Sequence, residues 1–562
     1  MPSVQTSRKR PDGMTYFKEF FTSIVIAFAM AFVSMAFVIR GFVIPTSSMA
    51  PTLLGAHVRL RSEVSGLDWA QTPSFYADLR RTPVSRQGTS STPIVAHDPI
   101  AGPGRGEVRA ANLPLLSGDR VFALRYLPII ARPERFDPLV FISPTNPAEN
   151  VIKRLVGLPG EQVALSDGDC FVRDGSAGEA PWTAGDWTIT RKPERLQRTL
   201  WQPIYDHSRR GGDYLQPWIA DSGSWDLSGR SVKAAGGENA RLRWDSQLWP
   251  IDDALAQNEI TLHTSEMQRT RAFPNNPSAY QQWQKSVLNM PRYAVGDVHL
   301  SAGVRGGAQA LRFGVTVRGH EFAGEIDTSG ARVWMREVGG TSRQVLHEVS
   351  GDYLPGEGVR NVEFWHVDQA LWLFVDGELV AGGPERGGYS WTPAERIARA
   401  MRKPFTELTG SVNAIADQAA YRPPSPWVEV SGGDLELLRF RIDRDIFWRP
   451  VVDSSAQAPT GVIQRAGQGR GVIFPGRATH PGYSPVLGPD QFFLLGDNST
   501  DSEDGRTWGP ASAFVKDQFP HAGEGVVPRE LVIGRAFVVY LPAWVKRGPV
   551  PVPLAGRVRL LP

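Results

Sequence analysis

The sequence predicts a mainly β protein carrying a single apolar helix near its N-terminus, and three observations predict it. Phe20 to Ile39 is an unbroken apolar run. From Gly118 onward, short alternating segments are separated by Gly, Pro and Asp turns, the pattern of β-structure. That pattern comes in two blocks, residues 40–175 and 476–562, around a long segment, residues 176–475, with a strand pattern of its own.

The chain has 562 residues, too many for one hydrophobic core, so several domains are expected. Net charge is only +3 and no long Lys/Arg run occurs, which gives nucleic-acid binding no support. One cysteine, Cys170, excludes a disulfide within the chain and argues against a cysteine-based metal site. The histidines are scattered. His320-Glu321 and His347-Glu348 do not extend to H-E-x-x-H, so the zinc-protease signature is absent.

The first element is the apolar run. FFTSIVIAFAMAFVSMAFVI holds no charge, proline or glycine. At about 1.5 Å per residue it spans roughly 30 Å, the thickness of the hydrocarbon layer. It is longer than the apolar core of a cleavable signal peptide, about 7–15 residues. Arg8, Lys9, Arg10 and Lys18 precede it and one arginine, Arg40, follows. The positive-inside rule then makes residues 1–19 a cytoplasmic arm, residues 20–39 a retained transmembrane helix in the cell membrane, and the rest extracytoplasmic. The tail from Val538 is broken by Pro542, Lys546 and Arg547, so a single span is expected.

Beyond the anchor, Gly41 to Leu54 is apolar with a Ser-rich turn. Residues 56–115 are rich in Pro, Gly, Ser and Arg and read as an irregular insertion of loops and short strands. Strands are predicted at Arg120–Arg125, Pro138–Ile142 and Val151–Val156, followed by the turn Leu158-Pro-Gly-Glu161. Within residues 176–475, which carry most of the tryptophans, strands are predicted at Ala310–Val317, Arg332–Met335, Val359–Trp365, Leu371–Val375 and Leu435–Ile442. Asp376-Gly377 marks a hairpin turn. This set argues for a β-sandwich; residues 176–290 show no clear pattern. In the last block, Phe492–Leu495 is a short apolar strand entering the polar loop Gly496–Gly509, and Leu531–Tyr540 closes the fold.

Four segments carry chemistry. They are Ile44-Pro-Thr-Ser-Ser-Met-Ala-Pro-Thr-Leu53, Gly118-Asp-Arg-Val121, Lys153-Arg-Leu-Val-Gly-Leu-Pro-Gly-Glu161 and Gly496-Asp-Asn-Ser-Thr-Asp-Ser-Glu-Asp-Gly-Arg506. In this order, behind an anchor, they resemble the conserved boxes of type I signal peptidases, the Ser-Lys leader peptidases. The resemblance covers residues 17–175 and 476–545 and implies an all-β catalytic core. Two departures stand out: Gly505 replaces the family's usual serine, and only Arg40 to Ser47 separates the anchor from Ser48.

A serine hydroxyl needs a base before it attacks. A lysine serves if neutral, and burial among apolar neighbours lowers its ordinary pKa of about 10.4. Val151, Ile152, Leu155 and Val156 flank Lys153 and offer such a setting. By resemblance, Ser48 is the nucleophile and Lys153 the general base. The Ser48 N–H and the Thr46 hydroxyl form the oxyanion hole, and Ser502 orients the lysine. Asp504 and Arg506 brace the loop as an ion pair, and Asp497 and Asn498 shape its turn. Phe42, Ile44, Met49, Leu53, Val151 and Ile152 match positions lining the family's substrate groove, where small residues before the cleavage site are accepted. Neither metal nor cofactor is expected. A calcium loop at Gly496–Arg506, suggested by its carboxylates, lacks the EF-hand spacing of a position-12 glutamate.

The resemblance implies a membrane-bound serine endopeptidase removing N-terminal signal peptides from exported preproteins, with preproteins and the lipid bilayer as partners. The alternative is a membrane-tethered binding protein on an inactive peptidase scaffold; a self-cleaving Ser-Lys regulator would lack the anchor and the GDNS loop. Val359–Val380 resembles the late strands of concanavalin- or laminin-G-like sandwiches. The insertion then binds a glycan, binds a protein, or stabilises the catalytic core.

Overall fold

The computed structural model describes residues 13–71, 94–110, 113–114, 116–125, 132–211, 214–235, 239–254, 292–453, 474–542, 544–547, 550–553 and 557–562. Parts of both expected irregular regions, residues 72–93 and 255–291, lie outside this set.

The N-terminal helix runs Gly13–Phe37. Phe17, Phe20, Phe21, Val25, Ile26, Phe28 and Met30 are all more than half exposed. Among the described residues, no helix is long and apolar enough to cross a membrane. The helix also ends before residue 39. Ile39 and Arg40 instead open a strand, Ile39–Val43, because their backbone pairs with Arg120–Arg125.

The two outer blocks form one antiparallel sheet. Its order is Ile39–Val43, Arg120–Arg125, Val532–Leu541, Pro138–Ile142, Asn150–Gly157, Gln491–Leu495, Val527–Pro528, with Arg559–Leu560 beside Val532–Leu541. The late strand Val532–Leu541 thus lies between two early ones, pairing with both. The lysine strand is central: Lys153 faces Leu139 on one side, and Arg154 faces Leu495 on the other. A central strand is shielded on both edges, which explains why it is buried continuously from Ile152 to Gly157.

The inserted segment is a sandwich of an eight-stranded and a seven-stranded antiparallel sheet. Leu300, Phe364, Leu373 and Leu437 of the first meet Phe313, Val315, Val333 and Val428 of the second in one core. Each strand predicted in this segment is present. Ala370–Val375 turns into Glu378–Gly382 through Asp376 and Gly377, both at positive φ, as the Asp-Gly signal requires. The described tryptophans of the insertion are buried or half-buried, so they serve the core rather than an exposed stacking surface.

The insertion and the peptidase sheet share packing. A hairpin, Glu161–Ser166 with Asp169–Asp174, pairs with Thr188–Ile189 of the insertion. Its Ala164 and Phe171 pack with Trp182, Trp187, Ile397 and Phe447. Val156, Cys170, Phe493 and Leu495 pack with Leu196, Leu200, Ile446 and Trp448. Helix Pro393–Met401 starts with a Thr392/Glu395 capping box and aims Arg396 at the hairpin turn. Arg396 meets Asp167 at 3.1 Å and Asp297 at 3.0 Å.

Candidate active site

Backbone hydrogen bonds first fix the segment holding Ser48. Ile44 N–H donates to the Asp119 carbonyl, and Asp119 N–H to the Leu54 carbonyl. The Asp119 carboxylate accepts from Leu54 N–H at 2.9 Å and from Arg557 at 2.9 Å. The Gly118-Asp119 box therefore clamps both ends of the Ile44–Leu54 segment. Within it, Thr46 Oγ1 lies 3.4 Å from Ser48 Oγ.

The Gly496–Arg506 loop pins the same segment from the other side. Asn498 N–H donates to the Ser48 carbonyl at 3.1 Å, and Asn498 Nδ2 to the Ser47 carbonyl at 3.1 Å. Ser47 Oγ donates to Asp501. Asp497 accepts both Nε and Nη2 of Arg154 at 2.6 Å, and Thr52 Oγ1 donates to it as well. Arg154 and Asp497 are fully buried. So Asp497 and Asn498 do more than shape a turn: they tie the loop to the lysine strand and to the serine segment.

Lys153 sits beside this junction, 3% exposed. Its Nζ donates to Ser502 Oγ at 3.0 Å, and Ser502 Oγ donates to Asp504 Oδ2 at 2.9 Å. Burial pushes the amine down from its ordinary value to about 8, with Asp504 opposing and Arg506 reinforcing. Burial alone would raise the Asp504 carboxyl, but the Arg506 guanidinium overrides it and holds that carboxyl below its ordinary value. Arg506 reaches Asp504 through Nε at 2.9 Å and Nη2 at 2.8 Å. Among the described residues, no histidine is hydrogen-bonded to Ser48, Lys153 or Ser502.

Two glycines let these pieces meet. A Cβ on Gly496 would lie 2.2 Å from Ser502 Oγ and 2.5 Å from the Ser48 carbonyl oxygen, so serine segment and lysine-orienting hydroxyl touch the same residue. A Cβ on Gly505 would lie 2.7 Å from the Phe493 ring and 2.9 Å from the Gly525 carbonyl oxygen. The departure from serine at this position fits the room available.

Residues 17–185 and 468–541 match the family described as signal peptidase, peptidase S26. Over these two stretches the chain is similar to the peptidase S26 family. The two matched stretches are the peptidase sheet, and the sandwich interrupts them. No curated protein matches the sequence. Solved structures give low-scoring likenesses. A carbohydrate-binding module, CBM66, from Bacillus subtilis has 7% identity and a TM-score of 0.22, over 41% of this chain and 96% of that one. The galectin LEC-6 from Caenorhabditis elegans has 11% identity and a TM-score of 0.16, over 28% and 86%. An endo-1,3-β-glucanase domain from Thermotoga petrophila has 9% identity and a TM-score of 0.23, over 44% and 98%. Likeness at this level carries no argument about a ligand.

Most of the residues singled out in sequence converge in this peptidase core: Thr46, Ser48, Lys153, Asp497, Asn498, Ser502, Asp504 and Arg506. Of the groove residues, Ile44, Met49, Leu53 and Ile152 share one apolar cluster, with Phe42 packed against it. Val151 does not join them. It packs in a separate cluster with Leu139, Phe141 and Leu155, because adjacent residues of a strand point to opposite faces. Sequence reading gave no role to Arg154 or Thr52. Arg154 stands next to Lys153 in its box, and that adjacency was the available signal.

One group of four carboxylates close enough to hold a metal occurs among the described residues: Asp169, Asp297, Asp368 and Asp445. It is buried at the junction with the insertion. Lys192 bridges Asp368 and Asp445, and Arg318 and Arg396 meet Asp297, so basic side chains occupy the positions a cation would take.

Proposed function

We propose that this chain is a membrane-bound serine endopeptidase that removes N-terminal signal peptides from exported preproteins. The observation that carries the reading is the buried Lys153 amine, pushed down to about 8 and bonded to Ser502, whose hydroxyl and the Ser48 carbonyl both border Gly496. A neutral amine has a lone pair to accept the Ser48 proton, while one of its N–H groups donates to Ser502. Ser48 Oγ then attacks the scissile carbonyl. The Ser48 N–H and the Thr46 hydroxyl stabilise the oxyanion, and the protonated Lys153 hands its proton to the leaving amine. Water, deprotonated by the same lysine, releases the acyl-enzyme.

On the apolar run Phe20–Ile39 of the sequence, the N-terminal segment is proposed as the anchor, with residues 1–19 cytoplasmic and the peptidase core extracytoplasmic. Its exposed phenylalanines, valine and isoleucine point all around the helix, a surface that lipid would cover. The short link from Arg40 to Ser47 then holds the serine close to the bilayer surface, where a signal peptide leaves the membrane.

The test is cleavage of a synthetic precursor by the protein in phospholipid vesicles. Wild type is expected to cut after a small residue, with kcat/KM rising through a pKa of about 8. Ser48→Ala and Lys153→Ala are expected to be folded and inactive. Turnover by Ser48→Ala, or none by wild type, refutes the reading.

A further inference from the structure

The segments matched by the S26 family leave out residues 186–467, yet two residues from that stretch reach the loop holding Ser502, Trp448 through its side chain and Arg449 through its backbone. Trp448 is 2% exposed, and its indole Nε1–H donates to the Gly496 carbonyl at 3.0 Å. Its backbone N–H donates to the Gly168 carbonyl, at the tip of the hairpin beyond the lysine strand. The next residue continues the contact. The Arg449 N–H donates to Ser499 Oγ at 2.8 Å, and the Arg449 carbonyl accepts from Arg506 Nη1 at 3.1 Å. Arg506 Nη1 also donates to Ser499 Oγ at 2.5 Å.

These two residues are themselves held by the insertion. The Arg449 guanidinium pairs with Asp253, Nη2 to Oδ1 at 2.8 Å, and lies 5.5 Å from the Tyr293 ring centre. Lys192, paired with Asp368 and Asp445, lies 5.9 Å from the Trp448 ring centre. An unbroken set of contacts therefore runs from Trp448 to Gly496, from Gly496 N–H to Asp504 Oδ2 at 2.9 Å, from Asp504 to Ser502, and from Ser502 to Lys153.

We propose that the inserted segment supplies positioning residues to the peptidase site, with Trp448 and the Asp253–Arg449 pair fixing the Gly496–Arg506 loop and through it the Ser502–Lys153 contact. An indole can only donate, and the carbonyl it serves is buried, so losing that N–H leaves Gly496 without its partner. The loop then gains freedom where a shift of about 1 Å costs heavily in rate. This inference rests on the Ser48–Lys153 reading, and the sandwich becomes part of the working peptidase rather than an appendage.

The experiment compares full-length wild type, Trp448→Phe and Asp253→Asn in phospholipid vesicles. It measures kcat, KM, the pH profile of kcat/KM and amide hydrogen exchange across residues 496–506. Trp448→Phe keeps an aromatic ring, smaller than the indole, and removes the donor. The expected result is a kcat lower by about three- to tenfold, KM unchanged, a pKa moved up from about 8 as water reaches Lys153, and faster loop exchange. Asp253→Asn is expected to move the same quantities by less. It also decides the matter if Trp448→Phe does not fold. A kcat and pKa equal to wild type per folded molecule, or loop exchange unchanged, overturns the inference. Exchange is also read in a Ser48→Ala background. Altered loop exchange there, together with a wild type that never cleaves, keeps the loop-fixing role and refutes the peptidase reading alone.

Discussion

Replacing Lys153 with methionine removes the charge of the proposed base while keeping much of its length. Lys153 is 3% exposed, and its amine titrates near 8 rather than at 10.5. The gap between those values means that the charged amine costs the folded state about 3 kcal/mol. The penalty is fully present below pH 8. Between 8 and 10.5 the unfolded chain binds more protons than the folded one, so wild-type stability rises with pH across that window. Methionine carries no such penalty but forfeits the hydrogen bond to Ser502, worth about 1 kcal/mol. Lys153→Met is therefore expected to be more stable than wild type by about 2 kcal/mol at neutral pH, to lose that advantage as pH approaches 10.5, and to cleave nothing. Urea denaturation over this pH range in a Ser48→Ala background measures the first two, and precursor cleavage the third. A variant less stable than its parent by a constant margin at every pH, or one that retains cleavage, refutes the neutral-lysine argument.

Other expectations follow from the loop and the helix. Gly496→Ala places a methyl group 2.2 Å from Ser502 Oγ and is expected to lower kcat by about 10² while the fold, followed by circular dichroism, persists. Asp497→Ala strands the Arg154 guanidinium in a fully buried site and is expected to cost about 3–5 kcal/mol in denaturant titrations; a loss under 1 kcal/mol contradicts the clamp. Tags after Ser3 and at Leu560 are expected on opposite faces of sealed vesicles by protease accessibility, and finding both on one face refutes a single span.

Which residues come together at the candidate site was legible because they sit in short contiguous boxes. Ser48, Lys153, Ser502, Asp504 and Arg506 each carry a residue type that a Ser-Lys site needs. Hairpin chemistry was legible for the same local reason, as at Asp376-Gly377, where backbone handedness selects the residues. What could not be read was long-range. Nothing in Val532–Leu541 announces that it lies between two strands from the first block. Trp448 looked like one more tryptophan of a Trp-rich segment, and only its position beside Gly496 distinguishes it. Ile39 was assigned to the helix because its apolarity suits lipid as well as a sheet, and pairing with Leu124 decided for the strand.

The interleaved sheet has a consequence for the order of events during synthesis. Lys153 and Ser502 are 349 residues apart, and the central strand Val532–Leu541 is made later still. A nascent chain displays Ser48 and Lys153 long before Ser502 or that strand exists, so it has no finished sheet and no oriented amine. If the proposed Ser48–Lys153 chemistry holds, a half-made molecule is unable to cut. The remaining difficulty is bringing distant ends together, and closing a loop that long costs about 2 kcal/mol more than closing one of about 30 residues. The sandwich reduces that span. Thr188–Ile189 pairs with the hairpin at the start of the insertion, and Trp448 near its end bridges Gly168 on the same hairpin. Once folded, the insertion delivers the second half of the peptidase to within a few residues of where the first half stopped.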